Sequence, residues 1–513
     1  MSLNFLFKKI NFGYLLLLTT IVTIVFLLAE RLVRINYPDT SFSMYKGITY
    51  TNVDNEYYLD PVENYLSGIG WRRNPPVGNG TYFRRTPGYS LVYLFTREVT
   101  PNKDTALVLL VTLQFVMYLL FFYSFSRILI LLDIKPVIYN LSMLFLAIIP
   151  YFYHIIPGTN TESISVYLVV FFVYFILAGY KTENEKRKVI FYMIASFFAG
   201  YATLTRPYLG LFLCLLPALA FKEYFNKGIK TYVTKNIIIG FIPILMIGSW
   251  TLRNYILTKE IVVLEKAYHP ENLTRMKPEF RGFFNLAMTW AEDGANFNSY
   301  NIPLYFAALG GDTSFVYVEN CIKAVPPEYQ KFYGKENLTS LFRRYQLIVY
   351  SQKPYFDKQI ALPKTYSKEE LSLEDDFNTL IKKFKKEHFL KYYITVPLKY
   401  MSQIIFHSNT VGIYFMQTPF RNHLILNLLR YLSLLIHISL FLFILINLIT
   451  TRNNWLYFSL FFIIPVIFLL FFSYIVQSIE QRYYSPVLPI LIMGATYSIN
   501  KIYLKFFPAA KEE

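Results

Sequence analysis

Charge is scarce in this chain: 16% of its 513 residues are Asp, Glu, Lys or Arg, against 54% hydrophobic and 19% aromatic. So apolar a composition does not suit a soluble enzyme of this length, and lipid must solvate much of the surface. Cysteine is nearly missing. Cys214 falls inside an apolar run and Cys321 in a distant polar segment, so no disulfide framework is expected. His154 and the other histidines lack ligand spacing such as His-x-x-x-His, which argues against a histidine metal centre. No internal repeat, low-complexity tract or nucleic-acid motif is present.

What the chain does have is long hydrophobic runs, each of the order of the ~20 residues needed to cross a bilayer. They are Tyr14 to Leu28, Thr105 to Phe125, Val137 to Tyr153, Ser163 to Gly179, Val189 to Leu204, Tyr208 to Phe221 and Ile237 to Leu252. After a polar gap come Leu424 to Ile449, Trp455 to Tyr474 and Pro486 to Ile499. The first lacks a small-x-small cleavage site and ends in Glu30-Arg31, so it reads as a retained span.

Short cytoplasmic loops collect Lys and Arg. With the N-terminus inside, the inner pieces hold Lys8/Lys9, Arg127/Lys135, Lys181 to Lys188, Lys222 to Lys235, Arg452 and Lys501 to Lys511. The alternation holds along the whole chain. The expected fold is therefore an all-α polytopic membrane protein, with about ten transmembrane helices and two large extracytoplasmic segments. Residues 1–252 form an N-terminal transmembrane module with a first outer loop, 34–104; residues 253–422 are an outer segment and possible small domain; residues 423–513 carry the last helices. The net charge of +17 comes largely from the inner loops and fits anionic lipid, not nucleic acid.

The outer segments read as ordered. Asp54, Glu56, Asp60 and Glu63 lie among tyrosines before Pro75-Pro76 and Pro87-Gly88, a pattern of short helix, loop and turn. Asp60-Pro61 suggests a helix N-cap with proline at N1. Ser367 to Glu370 has capping-box spacing before Phe377, Leu380, Ile381 and Phe384, which suggests an amphipathic helix lying on the bundle or the membrane.

Within the spans charge is almost missing, Arg430 being the main exception, whereas transporters place ionisable groups near the midplane. Ionisable residues gather instead at the outer helix ends: Thr161-Glu162, Arg206-Pro207, Arg253 and Glu480-Gln481-Arg482. Alone, each arginine would simply anchor a helix end at the headgroups. Several on one outer rim run against the positive-inside bias and suggest a shared anion site.

These motifs resemble the GT-C glycosyltransferases, in the protein O-mannosyltransferase and aminoarabinose transferase branch (glycosyltransferase family 39-like). Asp54 with Tyr58, Arg84-Arg85-Thr86-Pro87-Gly88-Tyr89, Thr161-Glu162, Arg206-Pro207, Trp250 to Asn254, and Glu480, Arg482, Tyr483 with Pro486 and Pro489 follow the order expected of that branch. Thr86 stands where the Pro-Pro form has proline. Asn55 follows Asp54 where several relatives have a second acidic residue, which speaks against a two-carboxylate or metal-assisted variant.

The resemblance implies transfer of a sugar from a polyprenyl-phosphate donor to an acceptor hydroxyl. Asp54 would be general base, with Glu56 and Asp60 as alternatives. Arg84, Arg85, Arg206, Arg253 and Arg482 would bind the lipid phosphate, and Tyr58, Tyr89, Glu162 and Glu480 the substrates. No obligatory cofactor or metal is expected. The acceptor would be a glycan, lipid or protein, and the site would face the periplasm or exterior. A composition rich in Lys, Asn, Ile, Tyr and Phe suggests an AT-rich bacterial genome and hence a bacterial inner membrane. The rival functions are a transporter or flippase of a lipid-linked glycan, an O-antigen-type polymerase or ligase, and a structural partner in an envelope assembly.

Overall fold

The computed structural model describes residues 9–36, 43–45, 49–51, 55–73, 82–83, 85–265, 282–290, 294–358, 362–363, 365–407, 423–477 and 483–507. Regular structure there is helical, apart from one hairpin in which Ser43–Tyr45 pairs antiparallel with Thr49–Thr51. The first half contains α1 (Phe12–Asn36), α2 (Asn55–Leu66), α3 (Gly88–Val99), α4 (Lys103–Leu131) and α5 (Pro136–Ile148). It continues with α6 (Glu162–Lys181), α7 (Glu185–Thr205), a 3-10 stretch Pro207–Cys214 leading into α8 (Leu215–Tyr224), and α9 (Ile229–Thr258). Among the described residues nine helical stretches are long and apolar enough to span a membrane, and the protein is a multi-pass, all-helical membrane protein.

The third expected span is shorter than its apolar run. α5 has 13 residues, about 20 Å at 1.5 Å per residue, and stops before Pro150, which has no N–H to continue the ladder. The chain goes on as buried turns containing Tyr151, Phe152, Tyr153 and Ile156. Irregular backbone at this depth is tolerable because protein covers it and its groups are bonded, as where the Tyr153 hydroxyl donates to the Ile148 carbonyl at 2.7 Å.

α1 is apolar outside and polar inside. Leu17, Ile21, Val25, Leu28 and Leu32 are exposed, while Thr19, Thr23, Glu30 and Arg34 are buried. Thr19 shares a hydrogen bond with Tyr118 of α4 at 2.8 Å. The helix runs past Leu28 to Asn36 and so carries Glu30 and Arg34 into its packed face as an i,i+4 ion pair at 3.0 Å. Arg430 is therefore not the main charge within the long helices; pairing lets two more be buried.

Asp60-Pro61 is not a helix start. α2 begins at Asn55 and holds Pro61 in its interior. Seven residues into the helix, Pro61 removes the ladder bond to the Tyr57 carbonyl, a cost that the surrounding packing has to offset.

The second polar segment has its own apolar core, built from Phe283, Leu304, Phe342, Tyr345, Phe377 and their neighbours. Its long helix α10 (Lys368–Glu387) starts in a complete capping box: Glu370 N–H donates to Ser367 Oγ at 3.1 Å, and Ser367 N–H to Glu370 Oε2 at 2.7 Å. Leu373, Phe377, Ile381 and Phe384 are buried in that core, so this apolar face packs within the segment itself and not on the membrane or the bundle. The chain then enters α11 (Val396–Ile405), α12 (Leu424–Thr450), the span Trp455–Val476 and α13 (Leu488–Phe506). Cys214 and Cys321 are both free thiols.

Candidate functional site

Arg206 stands at the junction between α7 and the Pro207 turn. Proline disfavours helical backbone in the residue before it, and Arg206 is extended, with φ −144° and ψ 113°. That break swings its side chain off the helix end. The guanidinium Nε donates to Thr161 Oγ1 at 2.6 Å and Nη1 to the Tyr208 hydroxyl at 2.8 Å, while Nη2 pairs with the Glu162 carboxylate. Glu162 opens α6, where the helix dipole favours an anion. Burial would weaken the charge on Arg206, but the adjacent Glu162 carboxylate more than offsets this and raises its pKa above that of an ordinary arginine.

The first outer loop is brought against this pair by a glycine. Gly88 opens α3 where it meets the end of α7, and a Cβ there would lie 2.5 Å from the Leu204 carbonyl carbon. Only hydrogen fits. The Tyr201 hydroxyl fastens the contact by donating to the Gly88 carbonyl at 2.8 Å. Arg85 and Thr86, just before Gly88, thereby join Tyr58, Thr161, Glu162 and Arg206 around a cavity of about 550 Å³. Tyr208, Phe471, Phe472 and Tyr483 form an aromatic wall, and Glu265 contributes a second carboxylate. Arg85 Nη1 lies 3.6 Å from Glu265 Oε1.

Beneath the cavity Tyr58 meets Tyr89 edge-on, with ring centroids 5.5 Å apart. Tyr89 is wholly buried, so it supports Tyr58 from below. Its hydroxyl donates to Gln114 Oε1 at 3.2 Å. Gln114, buried in α4, also accepts from Ser163 and donates to the Ile156 carbonyl at 2.6 Å. One amide thus joins α3, the turn after α5 and the start of α6. The Glu63 carboxylate locks α2 to α3: Arg97 reaches it through Nε at 3.0 Å and Nη2 at 3.1 Å, and the Tyr93 hydroxyl donates at 2.5 Å. Partial burial pushes the Glu63 pKa up, but these donors outweigh it and hold the carboxyl below its ordinary value.

Four of the residues expected from sequence, Tyr58, Arg85, Glu162 and Arg206, line the cavity. Arg253 is turned toward the first outer loop: it donates to the carbonyls of Tyr82, at 2.5 Å, and Trp71, and its guanidinium lies over the Trp250 ring. Glu56 is exposed in the first turn of α2, with Arg73 at 3.3 Å, and Asp60 is inside the same helix; neither lines the cavity. Asp54, Arg84, Glu480 and Arg482 lie outside the described residues; Arg85 and Tyr483, the chain neighbours of Arg84 and Arg482, are on the cavity wall. Gln114 and Glu265 were not anticipated. A lone glutamine in an apolar run is the one signal that could have marked Gln114, since a buried amide requires partners.

A second, apolar cavity of about 700 Å³ runs along α9, lined by Leu213, Leu216, Ile239, Pro243, Ile247 and their neighbours. It shares the Pro207–Cys214 stretch with the polar cavity, which Gly210 and Leu211 line.

The fold and cavities define a multi-pass helical membrane protein with a charged chamber at helix ends beside an apolar groove. Compared with known proteins, the chain matches no family model and no curated protein. Among solved structures it is similar to the crystal structure of ArnT from Cupriavidus metallidurans in the apo state, with 10% sequence identity and a TM-score of 0.34. The alignment covers 95% of this chain and 76% of that one.

Proposed function

We propose that the protein is a GT-C-type glycosyltransferase, moving a sugar from a polyprenyl-phosphate donor to an acceptor hydroxyl on the extracytoplasmic face of a bacterial inner membrane. The observation that carries this reading is the juxtaposition of two cavities across one 3-10 stretch. One holds Arg85, Arg206 and two carboxylates; the other is apolar and open along α9. A donor with an anionic head and a hydrocarbon tail has both needs at once.

In this reading Asp54 takes the proton of the acceptor hydroxyl as its oxygen attacks the anomeric carbon. The bond from that carbon to the phosphate oxygen breaks, and the electron pair leaves with the lipid phosphate. Arg85, with Arg84 and Arg482 from the flanking motifs, would receive the growing phosphate charge through charge-assisted hydrogen bonds. Arg206, with its Thr161, Tyr208 and Glu162 contacts, would fix the Glu162 carboxylate where it orients the sugar. Tyr58, backed by Tyr89, offers a face for the sugar, Glu480 a further polar contact, and Arg253 would brace the loop that carries Arg84 and Arg85. Segment 253–422 would present the acceptor.

The test is turnover in lipid nanodiscs supplied with a polyprenyl-phosphate sugar, read by mass spectrometry of acceptor and lipid. Asp54→Asn should lower the rate by about 10²- to 10⁴-fold in folded protein, the range of general base catalysis. Unchanged turnover would remove Asp54 as the base, and intact donor carried across the membrane would favour a transporter.

A further inference from the structure

The helix that returns the chain from the second polar segment to the membrane carries apolar side chains on its exposed side as well as its buried one, with Lys391 turned to Glu328 at 3.0 Å and Lys399 to the Trp290 carbonyl at 3.2 Å. A π-helical turn, Lys391–Thr395, runs straight into α11. On one side Val396, Pro397, Tyr400 and Ile404 are buried. Ile404 belongs to the same core as the membrane helices, and its carbonyl accepts from His437 Nε2 of α12 at 3.0 Å. The other side shows Phe389, Leu390, Tyr393, Ile394 and Leu398, each between 42% and 67% exposed. A helix lying between a domain and water would turn polar residues outward.

Two further observations say what covers this stripe. First, α11 packs against Phe471–Val476, the end of a membrane span, so its outer side continues the surface that the bundle shows to lipid. Secondly, the final turns of α10, immediately before Phe389, carry Lys382, Lys383, Lys385 and Lys386. Cations are favourable at any helix C-terminus, but apolar side chains, a tyrosine and lysines on long stems in one short stretch match a bilayer interface. A protein partner would explain the stripe without explaining its continuity with the lipid-facing surface.

We propose that Phe389 to Leu398 is an interfacial helix, inserted at the headgroup boundary of the leaflet facing the large polar segments, with the α10 lysines on lipid phosphates. Through it the core of residues 283–384 is seated on the bilayer as well as on the bundle. This holds whatever reaction the cavity performs.

The experiment uses the full chain in nanodiscs of phosphatidylcholine with phosphatidylglycerol. A nitroxide is placed at Ile394→Cys or, separately, Leu390→Cys in a Cys214→Ser background, Cys321 being buried. Glu369→Cys, exposed at the opposite end of α10, is the aqueous control. Labels at 390 and 394 should collide with oxygen several-fold more often, and with a water-soluble nickel chelate several-fold less often, than the control. Nickel access equal to the control would place the stripe in water, and exclusion of both reagents would mean a protein covers it; either result overturns the proposal. Lys382→Gln, Lys383→Gln and Lys386→Gln should each reduce retained phosphatidylglycerol relative to phosphatidylcholine by up to about fivefold. An unchanged lipid ratio in the triple variant would overturn the role given to the lysines.

Discussion

Glu162 with Arg206 and Glu265 with Arg85 face the same cavity, yet the two pairs are held differently. Arg206 is bonded to Thr161 and Tyr208 as well as Glu162, and the paired side chains are only 8% and 7% exposed. Arg85 meets Glu265 at 3.6 Å, with the side chains 35% and 24% exposed. The same two residue types therefore serve as framework in one place and as an exchangeable contact in the other. A buried pair is costly to separate because the remaining charge has no solvent; an open pair can trade its partner for water or a ligand.

The largest effect should come from dividing the buried pair. Arg206→Leu should destabilise the protein by about 3–5 kcal/mol by stranding Glu162, with much of that recovered in the double variant Glu162→Leu/Arg206→Leu. Thermal unfolding in detergent tests this, and equal losses in the single and double variants would show that the pair is not the framework argued here.

Glu63 is an intermediate case, bonded to Arg97 and Tyr93 but partly open. Its folded pKa is depressed, so its contribution is present in full above the ordinary glutamate value of about 4.3 and is lost as pH falls through the lower folded value. Glu63→Gln should flatten that acid limb of the stability profile. An acid limb identical to that of the parent protein would contradict the assignment.

The smallest effect on stability should fall on the open pair. Glu265→Gln and Arg85→Gln should each change it by no more than about 1 kcal/mol. In turnover assays they should separate: Glu265→Gln should lower KM for an anionic donor by releasing Arg85 from its competitor, and Arg85→Gln should raise it. If both variants moved KM in the same direction, the exchange would be wrong.

Much of this was legible along the chain. Most spans, the capping box at Ser367 and the placement of Glu162 and Arg206 at helix ends follow from local hydropathy, loop charge and proline chemistry. The shortness of α5 was hidden because Tyr151 to Ile156 is as apolar as a helix, though it is folded into buried turns. Likewise, Pro207 marks Arg206 as leaving its helix, but nothing local says that Arg206 joins the cavity wall while Arg253 bonds to the Tyr82 and Trp71 carbonyls.

Sequence alone determined that the chain lives in a bilayer, since the partition of apolar runs into lipid and the count of residues needed to cross it depend on little beyond composition and length. Only the tertiary structure decided which arginine meets which glutamate. That choice depends on contacts between distant segments, such as the hydrogen of Gly88 against the backbone of Leu204 and the amide of Gln114 between three elements.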